Sequence, residues 1–222
     1  MGNYLKNLIN NLTKPMGYCV AHNMEKVLKR KRKVDLVPDF VRQSSIELCA
    51  EEIYLYGIKG NVAELGVYRG DFAAIIHNLF PDRKLYLFDT FEGFDKKDLN
   101  VEAKFNYSKD DQNFSNTSVD SVLKKMSNPQ NCIVKKGYFP ESATDVEDTF
   151  AFVSIDTDLY NPIYNGLEYF YPRLVKGGYI FIHDFNNKRY LGARQAVVDY
   201  CKKHKIPYFP LSDSCGSAVI MK

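Results

Sequence analysis

Cysteine is scarce in this chain and never paired. The 222 residues hold five (Cys19, Cys49, Cys132, Cys201, Cys215), scattered and odd in number, with no Cys-x-x-Cys. That leaves no disulfide or redox-pair framework and fits reduced thiols in a cytoplasmic protein, several buried as small hydrophobes. A large charge excess is also missing. A net charge of +3 is too mild for a nucleic-acid surface. No apolar run reaches the roughly 18 residues of a membrane helix, so no membrane span is expected. The opening residues, Met1 to Lys6, lack a signal-peptide core, and Lys6 stands where a myristoylation motif needs Ser or Thr. There is no internal repeat and no low-complexity linker.

What is present suits one soluble domain with a small appendage: 45% hydrophobic and 26% charged residues over 222 positions. Residues 1–40 read as an N-terminal helical appendage. Its basic run Lys29-Arg30-Lys31-Arg32-Lys33 is a solvated helix end or, alternatively, a contact for an anionic partner. Residues 41–222 form the main domain. Ser44 or Ser45 can cap a helix carrying Ile46, Cys49, Ile53 and Tyr56. A short apolar segment, Asn61 to Gly66, is followed by Phe72, Ile75, Ile76, Leu79 and Phe80 at helical spacing, with Asp71 as cap. Lys84 to Asp89 then reads as a buried strand, completing a βαβ unit. Residues 91–116 are polar and read as a structureless stretch, either a functional lid or mobile. A short helix around Val122 comes next. Strands follow at Cys132–Val134, Ala151–Asp156 and Tyr179–His183, with a helix after Asn161-Pro162 and another around Ala196. Tyr208–Leu211 and Ser217–Met221 close the chain as a hairpin. This predicts an α/β fold: a doubly wound, Rossmann-like, seven-stranded, mostly parallel sheet with an antiparallel strand near the end.

In such sheets ligands bind beyond the carboxyl ends of the strands. Glu64-Leu65-Gly66-Val67-Tyr68-Arg69-Gly70 lies at the first such end. Gly66 permits a tight turn and Gly70 lets the next helix start near the loop. A dinucleotide fingerprint needs Gly-x-Gly-x-x-Gly, and a carboxylate at position 64 would repel a pyrophosphate. S-adenosylmethionine (SAM) carries no phosphate but does carry an ammonium and a sulfonium, so Glu64 suits it. Asp89, at the end of the second strand, can accept both ribose hydroxyls. The candidate cofactor contacts are Glu64, Gly66, Tyr68, Gly70, Asp89 and Thr90.

A second group lies at the ends of strands four and five: Asp156, Asp158, His183 and Asp184. Three carboxylates and an imidazole at one place repel unless protonated, hydrogen-bonded or bound to a cation. Oxygen-rich sites of this kind suit Mg²⁺ or Mn²⁺. A metal there would acidify a substrate hydroxyl, and a neighbouring carboxylate would take the proton. Asp158 is alternatively a cap of the following helix. His22, His77 and His204 read as surface or packing residues. Phe105, Tyr107 and Phe114 could stack on a sugar ring or pack on the surface.

With these residues in view, the chain resembles the macrocin O-methyltransferase (TylF) family from about Val37 onward. The resemblance rests on Val37-Pro38-Asp39-Phe40-Val41-Arg42, on Ala63 to Gly70, and on Leu87-Phe88-Asp89-Thr90-Phe91-Glu92-Gly93-Phe94. It continues in Gly137-Tyr138-Phe139-Pro140-Glu141-Ser142, Ile155 to Tyr160 and Gly216 to Ile220. It implies a class I SAM methyltransferase acting on a sugar or glycosylated small molecule, with SAM and a divalent metal (Mg or Mn). By position it implies Glu64 and Gly66 as contacts to the methionyl part of SAM, Asp89 as a ribose contact and Asp158 as general base. Asp156 and Asp184 become metal carboxylates. His183 departs from the family's paired aspartates, and serves as a third metal ligand or acts on a proton. Two competing readings are a nicotinamide-dependent oxidoreductase and a non-catalytic protein that keeps the fold. A homo-oligomer is compatible with all three.

Overall fold

The computed structural model describes residues 39–109 and 112–222. The appendage expected at 1–40 and its basic run lie almost wholly outside the described residues. Helix α1 (Phe40–Leu55) leads into β1 (Asn61–Leu65), α2 (Asp71–Leu79), β2 (Leu85–Asp89), α3 (Lys96–Phe105) and α4 (Val119–Leu123). Then come β3 (Cys132–Lys136), β4 (Phe150–Ile155), α5 (Tyr160–Arg173), β5 (Leu174–Ile182), α6 (Leu191–His204), β6 (Phe209–Pro210) and β7 (Ala218–Met221).

The seven strands stand in the order β3-β2-β1-β4-β5-β7-β6. All neighbouring pairs from β3 to β5 are parallel, and β7 runs antiparallel to both β5 and β6. The expected sheet is therefore present. The order reverses between β1 and β4, so the crevice at their carboxyl ends is the ligand position of an open α/β sheet.

The side-chain alternation of the strands builds two cores. Ala63, Leu65, Tyr86, Phe88, Val153 and Ile155 pack with α5 and α6 on one face. Val62, Leu85, Leu87 and Phe152 pack on the other with Ile46, Ala50 and Ile53 of α1 and Ala73 and Ile76 of α2. On the first face Phe170 of α5 is fully buried against the rings of Phe150, Phe88 and Phe139, with centroids 5.2–5.7 Å away. Truncating such a ring to alanine costs about 3–5 kcal/mol, a large part of a domain's stability.

Several local expectations need correction. Ser44 and Ser45 do not cap α1. The helix starts earlier, and both hydroxyls donate to the Val41 carbonyl from inside it. Gly70, with φ +77°, occupies the cap position of α2, and Asp71 is the first helical residue. The stretch 91–116 contains the ten-residue helix α3, capped by the Asp95 carboxylate on the Lys97 amide. Two buried acids dock it: Asp98 accepts from Tyr138 and Asn161, and Glu102 accepts from Ser108 and from the backbone amide of Tyr160. Glu102 thus satisfies an orphan amide at the start of α5, the role considered for Asp158. The fifth strand begins at Leu174, so Gly177 and Gly178 lie within it rather than before it.

Candidate active site

The ends of the five parallel strands are laced together by backbone hydrogen bonds beyond the regular ladder. The Gly66 amide donates to the Phe88 carbonyl and the Asp156 amide to Leu65. The His183 amide donates to Ile155, and Gly137 to Asp89. Each of the first, second, fourth and fifth strands is then followed by a non-glycine residue in the left-handed region: Tyr68 (φ +48°), Phe91 (+55°), Asp158 (+60°) and Asp184 (+58°). The other two such residues among the described ones, Asn106 and Lys205, merely end helices. Strain of this kind costs of order 1–3 kcal/mol per residue and clusters where a site demands a particular side-chain aim. Here Tyr68, Asp158 and Asp184 line one cavity of about 440 Å³, with Glu64 to Arg69 and Asp89 on one side and Asp156, Asp158, His183 and Asp184 on the other.

At Gly66 (φ +88°) an added Cβ would lie 2.0 Å from the Asp156 carbonyl oxygen, so only glycine lets β1 turn this tightly past β4. The Asp89 carboxylate fastens the loop. Oδ2 accepts from the Val67 and Tyr68 amides at 2.7 and 2.8 Å, and Oδ1 from the Phe91 amide at 2.7 Å. Thr90 is a turn residue, its hydroxyl donating to the Gly93 carbonyl. Tyr68 donates to Asn116 and stands edge-on to Phe114.

Glu64 is buried in this crevice, and its Oε2 has no hydrogen-bond partner. Burial, reinforced by the nearby Asp156 charge, holds its carboxyl well above the usual carboxylate range. A carboxyl of this kind is a receptor for a cationic or donor group that enters the cavity.

The acidic cluster has an internal charge balance that sequence reading did not find. Arg42 of α1 is buried, donates Nη1 to Asp156 Oδ2 at 3.0 Å and Nη2 to Ser154 at 3.1 Å, and lies 3.6 Å above the Phe72 ring. The available signal was its spacing: Arg42, Ile46, Ala50 and Ile53 share the buried stripe of α1, and an arginine on a core stripe requires a buried acid. His183 Nδ1 sits 3.0 Å from Asp156 Oδ1 and 2.8 Å from Asp184 Oδ2. A ring nitrogen between two carboxylate oxygens must carry the proton. Burial alone would lower the His183 pKa, but the Asp156 charge and the hydrogen bonds to Asp156 and Asp184 outweigh it and push it up to about 10. Burial would raise Asp156 too, but the Arg42 and His183 charges hold it well below the usual carboxylate range. Asp184 Oδ1 accepts from Asn187 Nδ2 at 2.6 Å. Asp158 faces the opposite balance. Burial and then the Asp184 and Asp156 charges raise its carboxyl well above the ordinary value.

Asp156, Asp158, His183 and Asp184 are therefore brought together, as expected. Donor triads whose ligand atoms lie within 4.8 Å of one another are, among the described residues, His183–Asp184–Cys215 and Asp39–His183–Asp213. Neither includes Asp156. Of the three aromatics considered for stacking, Phe114 lines the cavity with Phe94 and Tyr190. Phe105 and Tyr107 instead stack outward in a ladder with Tyr160 and Tyr164. His77 is a packing residue, accepting from the Asn128 amide, and His204 pairs with Glu168 at the surface. His22 lies outside the described residues. Among the described residues no helix is long and apolar enough to cross a membrane.

Comparison with known proteins agrees with this geometry. The sequence model of the macrocin-O-methyltransferase (TylF) family matches residues 40–220. The chain is 26% identical over 179 residues to mycinamicin III 3''-O-methyltransferase of Micromonospora griseorubida, covering 74% of this chain and 69% of that one. It is 24% identical over 158 residues to demethyldecarbamoylnovobiocin O-methyltransferase of Streptomyces niveus, covering 65% and 60%. Among solved structures, the O-methyltransferase NovP superposes with a TM-score of 0.66 at 19% identity, covering 99% of this chain and 98% of that one. The calicheamicin methyltransferase CalS11 follows at 0.63 and 18%, covering 100% and 94%. The chain belongs to the macrocin O-methyltransferase (TylF) family and is a SAM-dependent O-methyltransferase.

Proposed function

We propose that the chain methylates a hydroxyl of a sugar or glycosylated small molecule, and that residues 41–222 carry the whole site. The observation that carries this reading is the two-sided cavity. An unsatisfied buried carboxyl, Glu64, lies on one side, and a carboxyl of raised pKa, Asp158, on the other. The names of the relatives, a mycinamicin and a novobiocin O-methyltransferase, support a glycosylated acceptor. The Phe94, Phe114 and Tyr190 rings are suited to the apolar face of a sugar.

Bound SAM supplies an electrophilic methyl group on a sulfonium. Glu64 receives the ammonium, and Gly66 and Gly70 let the backbone approach it. Asp89 orders the loop and, with Thr90 and Tyr68, flanks the ribose. Asp158 is the general base. A carboxylate whose pKa is raised toward the working pH takes a hydroxyl proton more readily than an ordinary one. Asp184 and Asp156 hold His183.

A divalent ion at Asp156, His183 and Asp184 does not fit this arrangement. Both oxygens of Asp156 and both of Asp184 face nitrogen donors, and His183 Nδ1 carries a proton where a ligand needs a lone pair. No step is assigned to a metal.

Calorimetry with S-adenosylhomocysteine, followed by an acceptor screen across free, nucleotide-linked and macrolide-linked sugars, tests the reading. Asp158→Ala should keep S-adenosylhomocysteine affinity within about twofold while turnover falls roughly 10²–10⁴-fold. A folded protein that binds no S-adenosylhomocysteine would sink the reading. Turnover of the variant within a few-fold of wild type would remove the base.

A further inference from the structure

We propose that His183, clamped between Asp156 and Asp184 with Arg42 neutralising Asp156 from behind, takes the place of a divalent ion, so that this enzyme transfers methyl groups without a metal. The inference rests on the O-methyl-transfer reading of the same cavity.

The geometry assigns both oxygens of Asp156 and both of Asp184, the carboxylates expected to hold a metal. Arg42 Nη1 occupies Asp156 Oδ2 at 3.0 Å, and Asn187 Nδ2 occupies Asp184 Oδ1 at 2.6 Å. The Nδ1–H of His183 is shared by the remaining oxygens, Asp156 Oδ1 at 3.0 Å and Asp184 Oδ2 at 2.8 Å. An ion cage requires oxygen lone pairs converging on one point with imidazole nitrogen unprotonated. Here the lone pairs converge on nitrogen-bound hydrogens. Arg42 cannot swing aside at little cost, because it is buried and held on its other sides by Ser154 and the Phe72 ring. Breaking such a pair leaves an uncompensated buried charge.

The chemistry closes with this chain's own groups. The acceptor hydroxyl gives its proton to the Asp158 carboxylate as its oxygen forms the new bond to the methyl carbon. The electron pair of the broken carbon–sulfur bond returns to sulfur. The positive charge lost at sulfur matches the negative charge lost at Asp158, so no further co-reactant is needed. His183, at the wall of the cavity, supplies the positive charge that steadies the oxygen while its proton departs. Arg42 does not line the cavity. It is a positioning residue that fixes Asp156, and through it the imidazole.

Mn²⁺ is a direct probe, because its paramagnetic resonance signal is lost on binding and needs no acceptor. Full-length protein loaded with S-adenosylhomocysteine is titrated with Mn²⁺, and the same is done with His183→Asp. Wild type should leave the free-ion signal unchanged at millimolar Mn²⁺. His183→Asp, which replaces the N–H with acceptor oxygens, should bind Mn²⁺ at least about tenfold more tightly. With the acceptor found by the screen, wild-type turnover should be unchanged in excess EDTA. Stoichiometric micromolar binding of Mn²⁺ by wild type, or loss of turnover in EDTA, overturns the proposal while leaving O-methyl transfer intact. A variant as silent as wild type overturns the role given to His183. Failure to bind S-adenosylhomocysteine takes down the functional reading and this inference together.

Discussion

Glu64 is a carboxyl with one buried oxygen and no donor for it, and its charged form is opposed by burial and by Asp156. On the reading proposed here it holds its proton until an ammonium arrives and loses it on contact, since an adjacent cation favours the carboxylate. Wherever the free protein still holds that proton, binding of S-adenosylhomocysteine should therefore release it, and affinity should rise up to about tenfold per pH unit until Glu64 ionises in the free protein. Calorimetry in buffers of different ionisation enthalpy reads this directly. Glu64→Gln should abolish the buffer dependence and weaken binding by roughly ten- to a hundredfold, the worth of one charged hydrogen bond. Equal heats in phosphate and Tris would contradict the assignment.

Helix α3 is an element docked mainly by buried acids, with Leu99 its apolar contact to the core. Its sequence, Lys96 to Phe105, offers no apolar stripe. Two acids pin it, and Glu102 alone holds the Ser108 hydroxyl and the Tyr160 amide at the start of α5. Glu102 also lies so close to α6 that a Cβ on Gly192 would meet its carboxylate at 2.6 Å. Glu102→Ala should therefore cost about 1–2 kcal/mol and speed hydrogen exchange across α3, with S-adenosylhomocysteine binding unchanged. Glu102→Gln, which keeps an acceptor oxygen, should lose less. Exchange in α3 indifferent to both changes would show that the helix is held otherwise. The same element marks where the sequence was legible. β1, β2 and β4 announced themselves through buried apolar runs closed by Glu64-x-Gly66, Asp89 and Asp156-x-Asp158, because water exclusion and strand ends leave a pattern along the chain. The α3 helix did not, because its anchors are partners from Tyr138, Asn161 and Tyr160, far away in sequence. The acidic cluster was visible as acids. Its counter-charge was not, because Arg42 reaches Asp156 across 114 positions and no spacing rule encodes that pair.

Across the molecule, proton linkage should place maximum stability on the acid side of neutrality. Glu64, Asp98, Glu102 and Asp158 are all raised, chiefly by burial, from ordinary values of 4.5 and 3.8. Between those values and the raised ones the folded chain binds more protons than the unfolded one, so stability falls as pH rises. His183 adds to the same slope. Its folded pKa, about 10, exceeds its ordinary 6.5, so its contribution is complete below 6.5 and is lost as pH rises through about 10. Acid loss has a separate origin. Glu168 is lowered to about 2 by hydrogen bonds to Lys203 and His204, and Asp156 is lowered as well, so their contributions are present above the ordinary carboxylate values and disappear as pH falls through the lowered ones. The two trends cross in the mildly acidic range, below the sequence pI of 8.4. Thermal unfolding of the ligand-free protein should give its highest midpoint near about pH 5 and a midpoint several degrees lower at about pH 8. His183→Asn should flatten the alkaline part of that fall while leaving the acid limb in place. A midpoint that holds level or climbs from about pH 5 to about pH 8 would mean that the buried acids and His183 do not carry the protons their surroundings require of them.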